Sequence, residues 1–222
     1  MEICGKKDYW EQVVYYKKYM FGFGARSRLI AEIVKRNSDK IESVLELGCN
    51  SGNNLQEINN LVPNIKLSGL DLSEPAINFG KTVDKNPAEL VAGDLMDLSR
   101  FEDKSFDLVV SFSTIEHVGS CACQYAFVQE ICRVGYTCCI TIANRWYPVE
   151  FHTIMPFVHW LPPHLFRLIL RYLGKEFFAK EENLNLLSKR DMLELFPAHA
   201  KVYIRHFKLF GMISNLLFYV EN

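Results

Sequence analysis

The stretch that most constrains this chain is residues 44–52, which read Val-Leu-Glu-Leu-Gly-Cys-Asn-Ser-Gly. Residues typical of a buried strand lead into a turn bounded by Gly48 and Gly52, and the following residues predict a helix. Nineteen residues beyond Gly52, a second apolar segment ends on Asp71. Because a tight turn lets the backbone approach a ligand and an acid can accept two ribose hydroxyls, this pattern predicts a nucleotide-type site.

The spacing of the glycines argues against a dinucleotide cofactor. The dinucleotide fingerprint is G-x-G-x-x-G, whereas positions 50 and 53 of this chain are both Asn. The missing glycines are those that admit the pyrophosphate and allow close packing of helix on strand. Asn tolerates a left-handed backbone better than other residues that carry a side chain, so the turn at Asn50 can still form.

Strands and helices alternate along most of the chain. Residues 8–37 predict two leading helices, and a helix at 189–196 precedes the last two strands. The predicted strands span residues 43–47, 66–70, 89–92, 106–112, 137–143, 202–209 and 215–220. This alternation predicts a single α/β domain over residues 1–222, with a mostly parallel seven-stranded sheet, an antiparallel last strand and helices on both faces.

Composition and residue spacing argue against several classes of partner. A net charge of −1 offers no electrostatic footprint for nucleic acid. Seven scattered cysteines predict reduced thiols in a cytoplasmic protein, and no apolar run approaches the roughly 20 residues of a transmembrane helix. His152, His159 and His164 match no common zinc spacing, so we predict no metal site.

The motif E-x-G-x-N-x-G at residues 46–52 resembles the first motif of class I S-adenosylmethionine-dependent methyltransferases, usually written E/D-x-G-x-G-x-G. Asn50 departs from that pattern at the middle glycine. Residues 93–95 (Gly-Asp-Leu) resemble the third motif of the family, and residues 106–111 resemble the fourth. The resemblance covers residues 41–143 and implies a Rossmann-like methyltransferase fold of the small-molecule, type 11-like branch, with S-adenosylmethionine as the cofactor.

The same resemblance assigns the cofactor-binding residues. Gly48 and Gly52 would hold the turn beneath the amino-acid part of the cofactor, and Glu46 would anchor that turn. Asp71 would accept both ribose hydroxyls, and Asp94 would accept from the adenine amino group. Taken singly, Asp71 also fits a helix cap and Asp94 a turn residue. The predicted set, at the carboxyl ends of strands, is Glu46, Gly48, Cys49, Gly52, Asp71, Leu72, Asp94, Leu95 and Ser111.

Two segments supply candidate acceptor residues. His117 follows the fourth predicted strand, where small-molecule members have a similar Glu-His pair, and it is a candidate base, a brace for the pocket or a packed core residue. Residues 145–180, called the insertion below, are rich in aromatic residues and proline, and predict either a lid over the acceptor or a hydrophobic dimer surface. His117 and His152 are the predicted catalytic residues, and the predicted acceptor contacts are Arg145, Trp146, Glu150 and Trp160.

Residues 164–173 predict a short amphipathic helix, for which packing on its own domain is favoured over contact with a membrane. The expected function is transfer of a methyl group from S-adenosylmethionine to oxygen or nitrogen of a small-molecule, glycan-precursor or lipid-precursor acceptor. The protein is expected to be a monomer or homodimer. A nucleotide-dependent oxidoreductase and a non-catalytic cofactor-binding module are the alternatives.

Overall fold

The computed structural model describes residues 23–37, 40–83 and 88–222. Its helices are α1 (Phe23–Arg36), α2 (Asn53–Leu61), α3 (Glu74–Thr82), α4 (Cys121–Val134), α5 (Pro163–Tyr172) and α6 (Lys189–Glu194). Its strands are β1 (Ser43–Leu47), β2 (Lys66–Asp71), β3 (Glu89–Ala92), β4 (Phe106–Phe112), β5 (Gly135–Ala143), β6 (Val149–Glu150), β7 (Met155–Pro156), β8 (Lys201–Leu209) and β9 (Met212–Glu221). Short 3₁₀ helices span Ile115–His117 and Val158–Trp160.

Seven strands form one sheet in the order β3-β2-β1-β4-β5-β9-β8. Strands β1 to β5 pair in parallel, and β9 runs antiparallel to both of its neighbours. The predicted mostly parallel sheet with an antiparallel last strand is therefore confirmed. The strand order reverses between β1 and β4, and open α/β sheets bind ligands outside the carboxyl ends of strands at such a point.

The central strands are buried on both faces, as their nearly continuous apolar runs predict. On β4, Val109 belongs to the core beneath α4 and α6, whereas Leu108 and Val110 belong to the core beneath α1, α2 and α3. All three are fully buried. Helices thus cover both faces of the sheet, which leaves its carboxyl edge as the place for a site.

Several helix and strand boundaries differ from the predicted ones. Strand β9 spans Met212–Glu221, whereas residues 215–220 were predicted. Helix α4 begins at Cys121, where the Ser120 side chain caps it by accepting from the Cys123 amide at 3.3 Å. Ser73 caps α3, accepting from the Ala76 amide at 3.3 Å. The leading helix predicted over residues 8–21 lies outside the described residues.

The insertion after β5 has a small core of its own, which continues beyond residue 180. It contains the β6–β7 hairpin, a 3₁₀ turn and α5. The core consists of Phe166, Leu170, Phe178, Ala179 and Leu184. One face of α5 therefore packs on its own domain, as predicted. Among the described residues, no helix has the length and apolar character that a bilayer crossing requires.

Candidate cofactor and acceptor site

The turn after β1 has the left-handed backbone that its sequence predicted. The φ angles of Gly48, Asn50 and Gly52 are 78°, 53° and 76°. The amides of Gly48 and Cys49 donate to the carbonyl of Leu70 at 2.8 and 3.3 Å, which ties the turn to β2. Asn50 therefore preserves the shape of the turn although it replaces the glycine of the family motif.

Gly48→Ala is expected to destabilise the protein by about 1–3 kcal/mol, because a Cβ is unfavourable at φ 78°. The added Cβ would also lie 2.3 Å from the Thr114 hydroxyl oxygen. Urea unfolding of the single variant and of the Gly48→Ala/Thr114→Ala double variant measures both effects. The double variant should regain the stability that the clash with Thr114 costs, but not the stability that the strained backbone costs. A single variant as stable as wild type would contradict the described turn.

Glu46 anchors the start of α2 from beneath the turn. Its side chain is fully buried, and Oε1 accepts from Nδ2 of Asn54 at 2.6 Å. This contact agrees with the predicted anchoring role of Glu46. Asn54 was missed as a partner, because a polar residue in the first turn of a helix has no sequence feature that links it to a strand residue.

Asp71 joins the turn to the start of α3. Its carboxylate is fully buried, with Oδ2 accepting from the amide of Asn50 at 2.6 Å and Oδ1 from the amide of Ser73 at 2.8 Å. An ionised carboxylate has about four lone-pair sites, so these two bonds leave it able to accept from further donors. The predicted contact with the ribose is compatible with this geometry and stays a prediction.

The sheet register brings the other predicted cofactor residues to the same edge. Leu47 pairs with Leu70 on one side and with Ser111 on the other, and Asp71 pairs with Ala92 immediately before residues 93–95. The Ser111 hydroxyl is buried and has no hydrogen-bond partner among the described residues. Asp94 accepts from the amide of Met96 at 2.9 Å, which is the turn role that its sequence position also allowed.

On the acceptor side, two histidines that lie far apart in the sequence meet. Nε2 of His117 lies 3.1 Å from Nε2 of His152. Nδ1 of His117 donates to the backbone carbonyl of Asn183 at 2.8 Å, and Nδ1 of His152 donates to Oε1 of Glu150 at 2.6 Å. Glu150 and His152, which the sequence predicted as separate site residues, thus pair with each other, and His117 bonds to the far side of His152.

The hydrogen-bond partners of His117 and His152 determine how many protons the two rings hold. A carbonyl and a carboxylate can only accept here, so both Nδ1 atoms carry hydrogen. A hydrogen bond between the two Nε2 atoms needs one more proton, so the two rings together hold three protons and one positive charge. Glu150 balances that charge, and its Oε2 accepts from the amide and hydroxyl of Thr153, each at 2.6 Å.

Electrostatics place the charge on His152. Burial and the neighbouring His152 lower the pKa of His117 to about 3, so this ring is neutral. Burial alone would lower the pKa of His152, but the charge of Glu150 outweighs it and raises the pKa above its ordinary value. Despite burial of the carboxyl group, His152 and Thr153 lower the pKa of Glu150 to about 2. His152 and Glu150 therefore form a buried ion pair, and the neutral imidazole of His117 is bonded to the His152 side of it.

All four ring nitrogens of His117 and His152 are engaged in these contacts. A catalytic proton transfer to either ring requires that the bond between the two Nε2 atoms opens. In the described conformation the pair braces the site, because it ties the turn after β4 to the insertion and to Asn183. Asn183 could not be found from a motif, since it contributes only its backbone carbonyl to the contact with His117.

Glu116 has a structural position. It is fully buried, and Oε1 accepts from the amide of Ala143 at the end of β5 at 2.7 Å. Its backbone carbonyl accepts from the amide of Asn185 at 2.8 Å. Glu116 therefore fixes the point at which the chain leaves the sheet and enters the insertion.

The remaining predicted acceptor contacts lie at the start of the insertion. The Arg145 guanidinium carbon lies 5.9 Å from the centre of the Trp146 ring. The Nε of Arg145 is buried, and no atom of residues 23–37, 40–83 and 88–222 forms a hydrogen bond with it. In the described part of the chain, no carboxylate pairs with Arg145. The rings of Trp146 and Trp160 are 6.4 Å apart, and both side chains are exposed.

Residues 45–136 match the model of a family described as a methyltransferase domain. The chain is similar to this family over that segment, which is 92 of its 222 residues. The match confirms the resemblance carried by the motifs at the ends of β1, β3 and β4. The matched segment contains most of β1, all of β2 to β4 and of α2 to α4, together with the turn at Gly48 and the side chains of Glu46 and Asp71.

Similar proteins agree with this assignment. A demethylmenaquinone methyltransferase of Roseiflexus castenholzii (strain DSM 13941 / HLO8) is 29% identical over 119 residues, which cover 53% of this chain and 48% of that protein. A second demethylmenaquinone methyltransferase, from Roseiflexus sp. (strain RS-1), is 31% identical over 108 residues, covering 47% and 44%. The matched region thus spans about half the length of these curated relatives.

Solved structures share the fold of the matched segment and of the rest of the chain. The plantazolicin methyltransferase BpumL, in complex with a monoazolic desmethylPZN analog and SAH, superposes with a TM-score of 0.67 at 14% identity, over 97% of this chain and 91% of that chain. The PH0226 protein of Pyrococcus horikoshii OT3 gives 0.61 at 18% identity, over 91% and 92%. These likenesses confirm the predicted Rossmann-like methyltransferase fold.

Proposed function

We propose that this chain is an S-adenosylmethionine-dependent methyltransferase that methylates oxygen or nitrogen of a small-molecule acceptor bound beneath the insertion. The observation that carries the proposal is the left-handed turn at Gly48, Asn50 and Gly52, held against buried Asp71 at the carboxyl ends of β1 and β2. The match of residues 45–136 to the methyltransferase family supports it, as does the SAH bound to the similar structure of BpumL.

The residues at this edge fit the proposed cofactor. The glycine-bounded turn lets the backbone approach the amino-acid part, Asp71 accepts from the ribose, and the buried hydroxyl of Ser111 offers a polar group at the end of β4. The cofactor supplies a methyl group on a sulfonium centre, which is already activated for displacement. The protein then contributes alignment of the acceptor and exclusion of water.

The acceptor must also lose a proton when oxygen or nitrogen is methylated. His117 and His152 are the proposed proton acceptors, with Glu150 holding His152 in place. Because their Nε2 atoms are bonded to each other, this role requires the acceptor to separate the rings. Otherwise the two histidines act only by positioning the insertion over the cofactor.

Arg145, Trp146 and Trp160 define the proposed acceptor chemistry. The aromatic rings present flat apolar faces suited to a ring or sugar. The guanidinium of Arg145, which pairs with no carboxylate of the described residues, suits an anionic group. A glycan-precursor or lipid-precursor acceptor with such a group is part of the proposal. A cytoplasmic location and a monomeric or homodimeric state stay predictions.

Calorimetric titration with S-adenosylmethionine, S-adenosylhomocysteine and NAD tests the cofactor. We expect micromolar binding of the first two ligands and no heat from NAD, because the turn lacks two glycines of the dinucleotide fingerprint. Binding of NAD alone would favour the oxidoreductase. No binding of any of the three would refute the proposed cofactor and favour an interaction module.

Transfer of a labelled methyl group tests catalysis. The protein is incubated with methyl-labelled S-adenosylmethionine and small-molecule extracts separated into polar and lipid fractions, with Asp71→Asn as the binding-impaired control. Label in one fraction that depends on Asp71 would support the proposal and identify the acceptor class. Cofactor binding without transfer in any fraction would favour the non-catalytic module.

A further inference from the structure

Helix α5 has a second apolar face that no described part of the protein covers. Phe166 and Leu170 are buried in the core of the insertion. Leu165, Leu168 and Tyr172, spaced three and four residues apart, lie on another face and are 40%, 59% and 90% exposed. One face of this helix therefore stabilises the fold, and the other presents apolar side chains to the surroundings.

The exposed face continues into an aromatic cluster. The Phe157 and Trp160 rings lie 4.9 Å apart, and Trp146 lies 6.4 Å from Trp160. The turn at Val158–Trp160 leads directly into α5. We call this set the insertion surface: Trp146, Phe157, Trp160, Leu165, Leu168 and Tyr172, all exposed. So many large apolar side chains on one small unit mark an interaction site.

Backbone strain coincides with this surface. Ile154 and Phe157 have φ angles of 57° and 62°, a region that β-branched and bulky residues rarely adopt. Both side chains are more than half exposed, so burial does not compensate for the strain. Strain that persists without a gain in packing is typical of functional surfaces.

Basic residues outnumber acidic ones in the insertion. Its two acidic residues are Glu150, which is buried and bound to His152 and Thr153, and the exposed Glu176. Its basic residues are Arg145, Arg167, Arg171, Lys175 and Lys180. Arg167 pairs with Glu181, just outside the segment, at 3.5 Å. A chain with a net charge of −1 thus has a locally basic, apolar surface.

We propose that the insertion surface docks the protein onto an anionic lipid bilayer. The side chains of Phe157, Leu165, Leu168 and Tyr172 would enter the headgroup region, and Arg171 and Lys175 would contact lipid phosphates. A second copy of the chain fits less well, because a two-fold contact through this surface would bring the same basic residues face to face. This docking would hold the insertion, and with it His152, at the membrane surface.

Sedimentation with vesicles tests the docking. Vesicles of phosphatidylcholine alone are compared with equimolar phosphatidylcholine and phosphatidylglycerol, using the full chain. We expect binding to the anionic vesicles, weakened by salt, and at least about tenfold weaker binding by the Leu168→Glu/Tyr172→Glu variant. Both positions are exposed, so the variant should fold and should bind S-adenosylmethionine as wild type does.

A matched control separates location from charge. The Phe79→Glu/Tyr136→Glu variant adds the same two charges at exposed aromatic positions, on α3 and at the start of β5, which is the opposite end of that strand from the insertion. It should bind vesicles as wild type does. The proposal would be overturned if the control lost as much vesicle binding as Leu168→Glu/Tyr172→Glu, or if the wild-type protein bound no vesicles. Equal binding of the wild-type protein to vesicles with and without phosphatidylglycerol would also overturn it. A lipid-independent dimer that only Leu168→Glu/Tyr172→Glu dissociates would assign the surface to a second copy instead.

Discussion

Asp71→Ala is expected to raise the dissociation constant for S-adenosylmethionine at least about 100-fold. The substitution removes the acceptors proposed for the ribose, and hydrogen bonds to a charged group each contribute about 1.5–3 kcal/mol. It also removes the acceptors of the Asn50 and Ser73 amides, which lie 2.6 and 2.8 Å from the carboxylate. The turn after β1 therefore loses one of its ties to β2, and keeps the bonds of Gly48 and Cys49 to the carbonyl of Leu70.

Calorimetry on folded variants measures this effect, with circular dichroism to confirm the fold. Asp71→Asn keeps the size and one acceptor oxygen, so its affinity should lie between those of Asp71→Ala and wild type. Asp103→Ala removes an exposed carboxylate that pairs with Arg133 at 2.7 Å, and it should bind normally. Wild-type affinity in a folded Asp71→Ala variant would exclude the ribose role.

Stability is expected to reach a maximum near pH 6.5 through the pair of His117 and His152. In the fold, the pair holds one titratable proton, and so one positive charge, from the pKa of His117, about 3, up to the raised pKa of His152. In the unfolded protein both rings have pKa values near 6.5, so together they hold two titratable protons below that pH and none above it. Below pH 6.5 the unfolded state binds more protons, so stability rises with pH. Above pH 6.5 the folded state binds more, and stability falls, by up to about 1.4 kcal/mol per pH unit.

Urea unfolding of single variants separates the two limbs of this curve. His152→Gln should abolish the loss of stability above pH 6.5, and His117→Gln should reduce the loss below it. The remaining loss comes from His159, whose pKa burial also lowers. His206→Gln, at an exposed position on β8, is the control and should follow wild type. Glu150 adds a loss only below its ordinary value of 4.5, because its pKa is lowered to about 2. Variant curves parallel to wild type would contradict the described proton arrangement.

The same two variants test the proposed chemistry. If both transfer methyl groups at the wild-type rate with the cofactor site saturated, neither histidine is the base. If Ala at these two positions abolishes methyl transfer and Gln preserves it, the histidines act by positioning the insertion, because Gln can hydrogen-bond but cannot take the proton at neutral pH.

Local sequence features were sufficient to predict the sheet and the turn after β1. Strands β1, β3 and β4 agree with the predicted strands residue for residue, because apolar runs between turn residues report local backbone preference. The left-handed turn at Asn50 was also predictable, because it depends on the conformational range of Asn and of the glycines beside it.

The contacts on the acceptor side could not be predicted from the sequence, because they depend on the tertiary structure. His117 and His152 are 35 residues apart, and no periodic pattern relates them or links either to the carbonyl of Asn183. The amphipathic pattern of α5 predicted one buried face but did not reveal that a second apolar face stays exposed. Hydrophobic periodicity predicts the secondary structure of a single segment. The protonation of His117 and His152 and the exposure of the second face of α5 depend on which segments pack together.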